Sequence, residues 1–246
     1  MRLKGKSAIV TGGASGFGAG IARKFASEGA QVMIVDLNAE AANALAADLN
    51  VVAHTADVSQ NGDVKAMTEA ALSAFGSVDI LVNNAGITHL PQPMDEVRED
   101  EFDRVFAVNA KSVFLTAKHL VPHMRTAGKG NILNVASTAG ISPRPRLSWY
   151  NASKGWMITA TKSMAVELAP DGVRVNALNP VAGETPLLKS FMGEDTPEMR
   201  AKFLSTIPMG RFSTPEDMGN AACYLCSDEA SMITGVCIEV DGGRCI

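Results

Sequence analysis

The run Thr11-Gly12-Gly13-Ala14-Ser15-Gly16-Phe17-Gly18 has the residue types of a phosphate cradle. It lies between an aliphatic strand signal, Ser7–Val10, and a helical one, Gly16–Ser27. Glycines there let the backbone turn tightly and approach a pyrophosphate, while the helix N-terminus offers free N–H groups and a partial positive charge. The spacing, T-G-x-x-x-G-x-G, differs from the G-x-G-x-x-G fingerprint, and a glycine turn without a ligand is the plainer alternative. The strand–turn–helix context favours a dinucleotide. Asp36 closes the second strand signal, twenty residues after Gly16. A carboxylate at that point accepts a hydrogen bond from an adenosine ribose 2′-hydroxyl and repels a 2′-phosphate. Neither Leu37, after Asp36, nor Ser15, before Gly16, supplies a compensating cation. The loop therefore predicts NAD in preference to NADP.

A second constellation lies further along. In Tyr150-Asn151-Ala152-Ser153-Lys154 a phenol and an ammonium stand four residues apart, so on a helix they share a face. Alone, such a pair could equally be a solvated surface pair. Its neighbours add weight. Ser137 ends a strand signal thirteen residues before Tyr150, Asn109 lies in a long helical stretch, and Asn83-Asn84-Ala85-Gly86 ends another strand.

The elements that must position these residues alternate from the start. Strand signals fall at Ser7–Val10, Gln31–Val35, Val51–Ala56, Val78–Val82, Asn131–Val135, Val173–Leu178 and Val236–Val240. Helical signals fall at Gly16–Ser27, Ala39–Leu49, Asp63–Phe75, Glu101–Met124 (read as one long helix) and Tyr150–Leu168. Short strands that are apolar on both faces and separated by helices predict a seven-stranded parallel sheet covered on both sides, a doubly wound α/β fold. The polar residues gather at strand ends, where open α/β sheets bind ligands. No linker or repeat divides residues 1–246, so one domain is expected. The stretch from about 185 to 215, with Pro186, Gly193, Pro197 and Pro208, reads either as a helical insertion over the site or as surface decoration.

Composition narrows the function class. The 246 residues are 46% hydrophobic and 5% aromatic, with 22 basic against 26 acidic side chains, a formal charge of −4. Nucleic-acid binding would call for a basic stripe or stacking aromatics, and neither is indicated. The apolar start, Ser7-Ala8-Ile9-Val10, is too short for a secretory segment, and no run approaches the ~20 residues of a membrane span. A cytoplasmic chain with no membrane or nucleic-acid partner is expected. Cys223 and Cys226 form a C-x-x-C pair that admits a zinc or redox reading. They sit in a helix-like stretch, Pro215 to Ser227, where cysteine serves as a small buried hydrophobe, and that is the expectation. His54, His89, His119 and His123 are scattered without metal-ligand spacing, so no metal is predicted.

Taken together, Thr11–Gly18, Asn83–Gly86, Asn109, Ser137 and Tyr150/Lys154 resemble the short-chain dehydrogenase/reductase family, from about Lys4 to Gly243. The resemblance implies a Rossmann-type fold, an NAD-dependent oxidoreductase and, commonly, a homotetramer. It implies Tyr150 as general acid/base, with Lys154 and the positive nicotinamide lowering its pKa from the ordinary ~10. Lys154 would also bond the nicotinamide ribose, and Ser137 would hold the substrate oxygen. Asn109 would support a water in a proton relay. Gly12, Ser15, Gly16, Phe17 and Gly18 would cradle the pyrophosphate, and Asp36 and Leu37 would flank the adenosine ribose. Asp57 and Val58 would meet the adenine, and Asn84, Ala85 and Gly86 would border the groove. The family usually reads P-G-x-[IV]-x-T after the sixth strand. Here the segment is Pro180-Val181-Ala182-Gly183-Glu184-Thr185, with Val for the usual Gly and Gly for the usual β-branched residue. Pro180, Gly183 and Thr185 would still border the nicotinamide.

Substrate groups are expected near Ser137 and Tyr150. Arg144 or Arg146 could grip a carboxylate or phosphate, or be solvent-exposed or subunit contacts. His89 and Trp149 are candidate pocket walls, and Glu184 could bond a substrate hydroxyl. Family members accept sugars, polyols, hydroxy acids, steroids and acyl-carrier-protein thioesters. NAD preference tilts the reading toward oxidation of a sugar, polyol or hydroxy acid. A 3-oxoacyl-[acyl-carrier-protein] reductase is the alternative. A non-catalytic NAD-binding protein would have no need of Asn109, Ser137, Tyr150 and Lys154 together. The ribose reading is testable: Asp36→Ala combined with Leu37→Arg is expected to move the NAD/NADP ratio of kcat/KM toward NADP, and an unchanged ratio would remove Asp36 from cofactor selection.

Overall fold

The computed structural model describes residues 1–246. Strand β1 (Ser7–Thr11) is buried along its whole length, which follows from aliphatic side chains alternating to two covered faces. Ala8 and Val10 enter a core on one side and Ile9 a core on the other. The same division repeats in β2 (Gln31–Asp36), where Val32 and Ile34 face one layer and Met33 and Val35 the other. With β3 (Val52–Thr55), β4 (Ile80–Asn83), β5 (Gly130–Val135), β6 (Val173–Pro180) and β7 (Cys237–Val240), these strands form one parallel sheet. Its order is β3-β2-β1-β4-β5-β6-β7, so the chain reverses its direction of growth between β1 and β4. A crevice opens at such a switch point, beyond the strand carboxyl ends.

Helices α1 (Gly16–Ser27), α2 (Ala39–Leu49) and α9 (Pro215–Cys226) cover one face. Helices α3 (Asn61–Phe75), α5 (Ser112–Ala127) and α6 (Ser148–Leu168) contribute to the other. Between α3 and α5 lies α4 (Glu99–Phe106), and α7 (Leu188–Met192) and α8 (Pro197–Leu204) follow β6. The last two build a small core of their own from Val181, Leu188, Met192, Phe203, Ile207 and Phe212. Thr214 and Asp217 close a reciprocal capping box at the start of α9. Cys223 and Cys226 are packed in the sheet-facing core of α9, and burial pushes the Cys226 thiol up to about 12. No helix is long and apolar enough to cross a membrane.

The sequence pattern predicts an unbroken helix over Glu101–Met124. The chain is helical there, but α4 passes into α5 through a wider π turn, Ala107–Lys111. The turn carries Asn109, whose fully buried amide bonds to the Ile87 backbone and to Ser153. Apolar periodicity is nearly blind to one extra residue per turn, and π turns of this kind gather at functional positions.

Helices α1 and α9 touch backbone to backbone. A Cβ on Gly20 would overlap the Pro215 carbonyl, and one on Gly219 would lie 2.7 Å from the Gly20 carbonyl oxygen. Gly20→Ala should therefore cost about 1–3 kcal/mol, seen as a melting temperature lower by roughly 3–10 °C. Gly62→Ala on α3, where a Cβ meets only open space, should be neutral or slightly stabilising; equal melting shifts for the two variants would contradict the close crossing.

Candidate active site

The glycine turn is built by cross-links between the ends of β1 and β4. The Thr11 hydroxyl donates to the Val82 carbonyl (3.2 Å) and accepts from the N–H groups of Asn84 (3.1 Å) and Ala85 (3.2 Å). The Asn84 amide donates to the carbonyls of Thr11 and Gly12, 2.9 Å each. Gly12 and Gly16 have φ of +58° and +51°, a region that disfavours any Cβ. A Cβ on Gly12 would also stand 2.8 Å from the Ala85 Cα. Gly18 sits beneath the turn, where a side chain would overlap the Gly12 carbonyl. Ser15 makes no side-chain cap at the N-terminus of α1, so the first-turn amides stay open to an anion. Asp36 braces the turn from the side, accepting from the Ala14 N–H (3.1 Å) and the Asn38 N–H (3.0 Å). Asp57 accepts from the N–H and hydroxyl of Ser59, which fixes the turn after β3.

At the other end Ser137 follows β5, and Tyr150 and Lys154 project from α6. All three are buried. Lys154 Nζ donates to the Val135 carbonyl at 2.9 Å and lies 6.0 Å from the centre of the Tyr150 ring. Burial lowers the Lys154 pKa to about 8. Burial raises the Tyr150 pKa to about 12, opposed by the Ser137 hydroxyl. Desolvation of the buried phenol is the larger influence in this structure, so the shift runs upward. Gly86 passes directly over Lys154; a Cβ there would lie 3.3 Å from Nζ.

Asn109 does not line the cleft. Its Oδ1 accepts from the Ile87 N–H (2.9 Å), and its Nδ2 donates to the Ile87 carbonyl (2.9 Å) and to Ser153 Oγ (3.0 Å). Ser153 in turn donates to the Tyr150 carbonyl at 2.7 Å. The Asn109 side chain thus ties the segment after β4 to α6.

The unusual segment after β6 has a local explanation. Gly183 forms a bridge with Ser213, and a Cβ on it would overlap the ring of Phe17. The aromatic ring from the glycine turn fills the space of the customary β-branched side chain. A Cβ on Gly16 would lie 3.1 Å from the Thr185 Cβ, so this segment closes against the glycine turn.

These pieces line one cleft of about 460 Å³. Of the residues singled out in the sequence, Gly12, Ser15, Gly16, Phe17, Asp36, Leu37, Asp57, Val58, Asn84, Ala85, Gly86, Ser137, Arg144, Tyr150, Lys154, Pro180, Gly183 and Thr185 lie on its walls. Gly18 and Asn109 support the walls from behind. Four of the five substrate candidates are elsewhere. The His89 side chain is buried beside the Leu90 carbonyl, 2.8 Å from Nδ1. Trp149 donates to the Met94 carbonyl and packs edge-on against Phe102. Arg146 is exposed on a left-handed backbone position (φ +66°), and Glu184 pairs with Arg200. Closeness in sequence to Ser137 or Gly86 does not decide which way a loop side chain faces. The sequence reading missed Ile87, Val108, Leu147, Leu187, Phe191 and Phe203. The two phenylalanines had a signal: they are aromatics in the 185–215 segment of an aromatic-poor chain.

The glycine turn, the open helix terminus and the carboxylate at the second strand fit a dinucleotide laid across the switch point. A family profile described as "Enoyl-(Acyl carrier protein) reductase" matches residues 12–244. The chain is 52% identical to 4-formylbenzenesulfonate dehydrogenase of Comamonas testosteroni, over 99% of both chains. It is 39% identical to the 2-dehydro-3-deoxy-L-rhamnonate dehydrogenase (NAD(+)) of a Sphingomonas species, over 99% of this chain and 96% of the relative. A crystal structure of a 3-ketoacyl-(acyl-carrier-protein) reductase from Brucella melitensis complexed with NADH superposes with a TM-score of 0.95 at 52% identity, covering 99% of this chain and all of the other. Shared topology, end-to-end matches and a glycine-turn cleft at the switch point converge: this chain belongs to the short-chain dehydrogenase/reductase family.

Proposed function

We propose that the protein is an NAD-dependent oxidoreductase acting on CH–OH groups, interconverting a secondary alcohol and its ketone. The observation that carries this reading is the convergence of Ser137, Tyr150 and Lys154 at one end of a cleft whose other end is the glycine turn and Asp36. NAD, when bound, supplies the hydride acceptor, and NADH the donor. The Ser137 hydroxyl holds the substrate oxygen, and the Tyr150 hydroxyl gives or takes its proton. Lys154 keeps a positive charge beside the phenol, while Asn109 is a positioning residue acting through Ile87 and Ser153. Asp36 would accept from the adenosine ribose, with Leu37 beside it. Asp57 and Val58 would meet the adenine, Asn84 to Gly86 would border the ribose, and Pro180, Gly183 and Thr185 would face the nicotinamide.

A sugar, polyol or hydroxy acid is the substrate class that this reading favours. The relatives named for a rhamnonate derivative and for formylbenzenesulfonate support small substrates with an acidic group. A 3-oxoacyl thioester reductase is the second reading, supported by the Brucella structure. The presence of Ser137, Tyr150 and Lys154 on the cleft wall, with Asn109 behind it, argues against a non-catalytic cofactor binder. Residues 1–246 act as one domain, with 185–215 covering the substrate; Leu187, Phe191 and Phe203 on the cleft wall support this. Exposed Phe114 on α5 and Trp156 and Val166 on α6 support a homotetramer. Four unpaired cysteines suit a cytoplasmic setting.

Tyr150→Phe should lower kcat by about 10²–10⁴-fold while NADH binding, read by fluorescence, persists; full turnover would remove Tyr150 from the chemistry. The pH dependence has a definite sign. Tyr150 is a base only once deprotonated, and its raised pKa keeps it protonated at neutral pH. Alcohol oxidation should therefore rise about tenfold per pH unit between pH 6 and 8, then flatten as Lys154 loses its proton near about 8. A flat profile over that range would exclude the buried phenol as the base.

A further inference from the structure

We propose that Arg144 is an anion-binding residue for the substrate, so that the enzyme selects a small alcohol or ketone with an apolar, ring-sized body and a carboxylate or sulfonate remote from the reacting carbon. The inference rests on the oxidoreductase reading above and deepens it. The charged side chains on the cleft wall are Asp36, Asp57, Arg144 and Lys154. Of the two carboxylates, Asp36 ends β2 and Asp57 lies in the turn after β3, at the glycine-turn end. Lys154 is engaged by the Val135 carbonyl. Arg144 is the cation left to face a substrate.

Of the arginines that form no salt bridge, Arg144 is the one on the cleft wall. Arg2, Arg23, Arg98, Arg125, Arg200 and Arg211 each pair with a carboxylate. Arg144 is partly buried and has a single side-chain hydrogen bond, a long one of 3.3 Å from Nη2 to the Thr206 hydroxyl. Its guanidinium lies over the Phe203 ring, 4.3 Å from the centroid. The nearby charge is another cation, Arg244, which donates to Ser142 and keeps a buried Nε without a partner. Desolvation and this like charge both oppose the charged form of Arg144. A partly buried guanidinium over an aromatic ring with no carboxylate paired to it is costly unless an anion joins it, and the planar fork of arginine suits carboxylate and sulfonate oxygens.

The space beside Arg144 fixes the rest of the substrate. Phe191 packs edge-on to Tyr150 with ring centres 5.1 Å apart, and Phe203 underlies Arg144. Leu147 and Leu187 complete this wall. Among the substrate classes favoured above, this surface selects an acid with an apolar body over a polyol, whose hydroxyls it would leave unpaired. An apolar body would bury there, with its anionic group at Arg144 and its oxygen at Ser137 and Tyr150. Phe203 and Thr206 belong to α8 and the turn after it, so the same anion would draw the 185–215 segment onto the substrate.

The test compares 4-(1-hydroxyethyl)benzoate, the corresponding sulfonate and the neutral methyl ester as substrates with NAD, in the wild type, Arg144→Met, Arg144→Lys and Arg146→Met. The wild type should favour the acids over the ester by about 10–100-fold in kcat/KM, the range of a charge-assisted hydrogen bond. Arg144→Met should collapse this ratio to within about threefold, Arg144→Lys should restore part of it, and Arg146→Met should keep it. NADH binding reports that each variant is folded. A turnover-independent arm titrates benzoate, benzenesulfonate and benzamide into the enzyme with NADH; the two anions should bind, and Arg144→Met should weaken them at least about tenfold. Acid and ester used equally by the wild type, or a ratio that survives in Arg144→Met, would overturn the proposal while leaving the oxidoreductase reading intact. Arg144-dependent binding of benzoate without turnover of any alcohol would uphold the anion site and count against that reading instead.

Discussion

Hydrogen bonding between the ends of β1 and β4 is the constraint on which the rest of the site depends. Thr11 and Asn84 come from two strands that are neighbours only because the sheet reverses its order there. A parallel sheet leaves the carboxyl ends of such strands diverging, and their loop groups need partners. The Asn84 amide satisfies the Thr11 and Gly12 carbonyls, and the Thr11 hydroxyl satisfies two amides of the opposite loop. The glycine turn is thereby held in place, with its Gly13 and Ala14 amides bonded to Val35 and Asp36. Everything on the cofactor side, from Asp36 to the close pass of Gly86 over Lys154, is placed relative to that fixed edge.

The reactive end obeys a different logic. Burial there moves two ionisable groups in opposite senses, the phenol up and the ammonium down. Both shifts favour uncharged forms, so a charged ligand beside them has a large influence on where the proton rests. Support comes from a continuous set of bonds running from Ile87 through Asn109 and Ser153 to the Tyr150 carbonyl. The π turn at Ala107–Lys111 carries the asparagine at the centre of this set. Phe17 and Gly183 show a similar economy: an aromatic ring on the glycine turn occupies a volume that a side chain on the β6 segment would otherwise fill.

Much of this was legible in the chain itself. Strands apolar on both faces, each followed by a helix, specify a covered parallel sheet, since a half-exposed sheet would alternate polar and apolar residues. The glycine spacing and Asp36 identify a dinucleotide turn because those requirements are local: backbone angles, close approach and one carboxylate at a strand end. Tyr150 and Lys154 share a face through helical geometry alone. The substrate end was read less well. Arg144 and Arg146 are two residues apart in a loop, and nothing in their types says that one faces Phe203 while the other faces solvent. His89 and Trp149 were expected on the wall; His89 instead bonds to the carbonyl of its neighbour Leu90, and Trp149 reaches across to the Met94 carbonyl.

The sequence by itself determined the elements, their parallel arrangement and the cofactor preference, because each depends on patterns repeated within a few residues of the chain. The tertiary structure alone decided which side chains share the cleft. It placed Phe191 beside Tyr150 and Phe203 beneath Arg144, contacts spanning some forty to sixty residues of sequence. It also set the direction of the Tyr150 shift, which depends on how completely the packed chain excludes water around the phenol. Burial and facing are properties of the assembled layers, and no local run of residues encodes them.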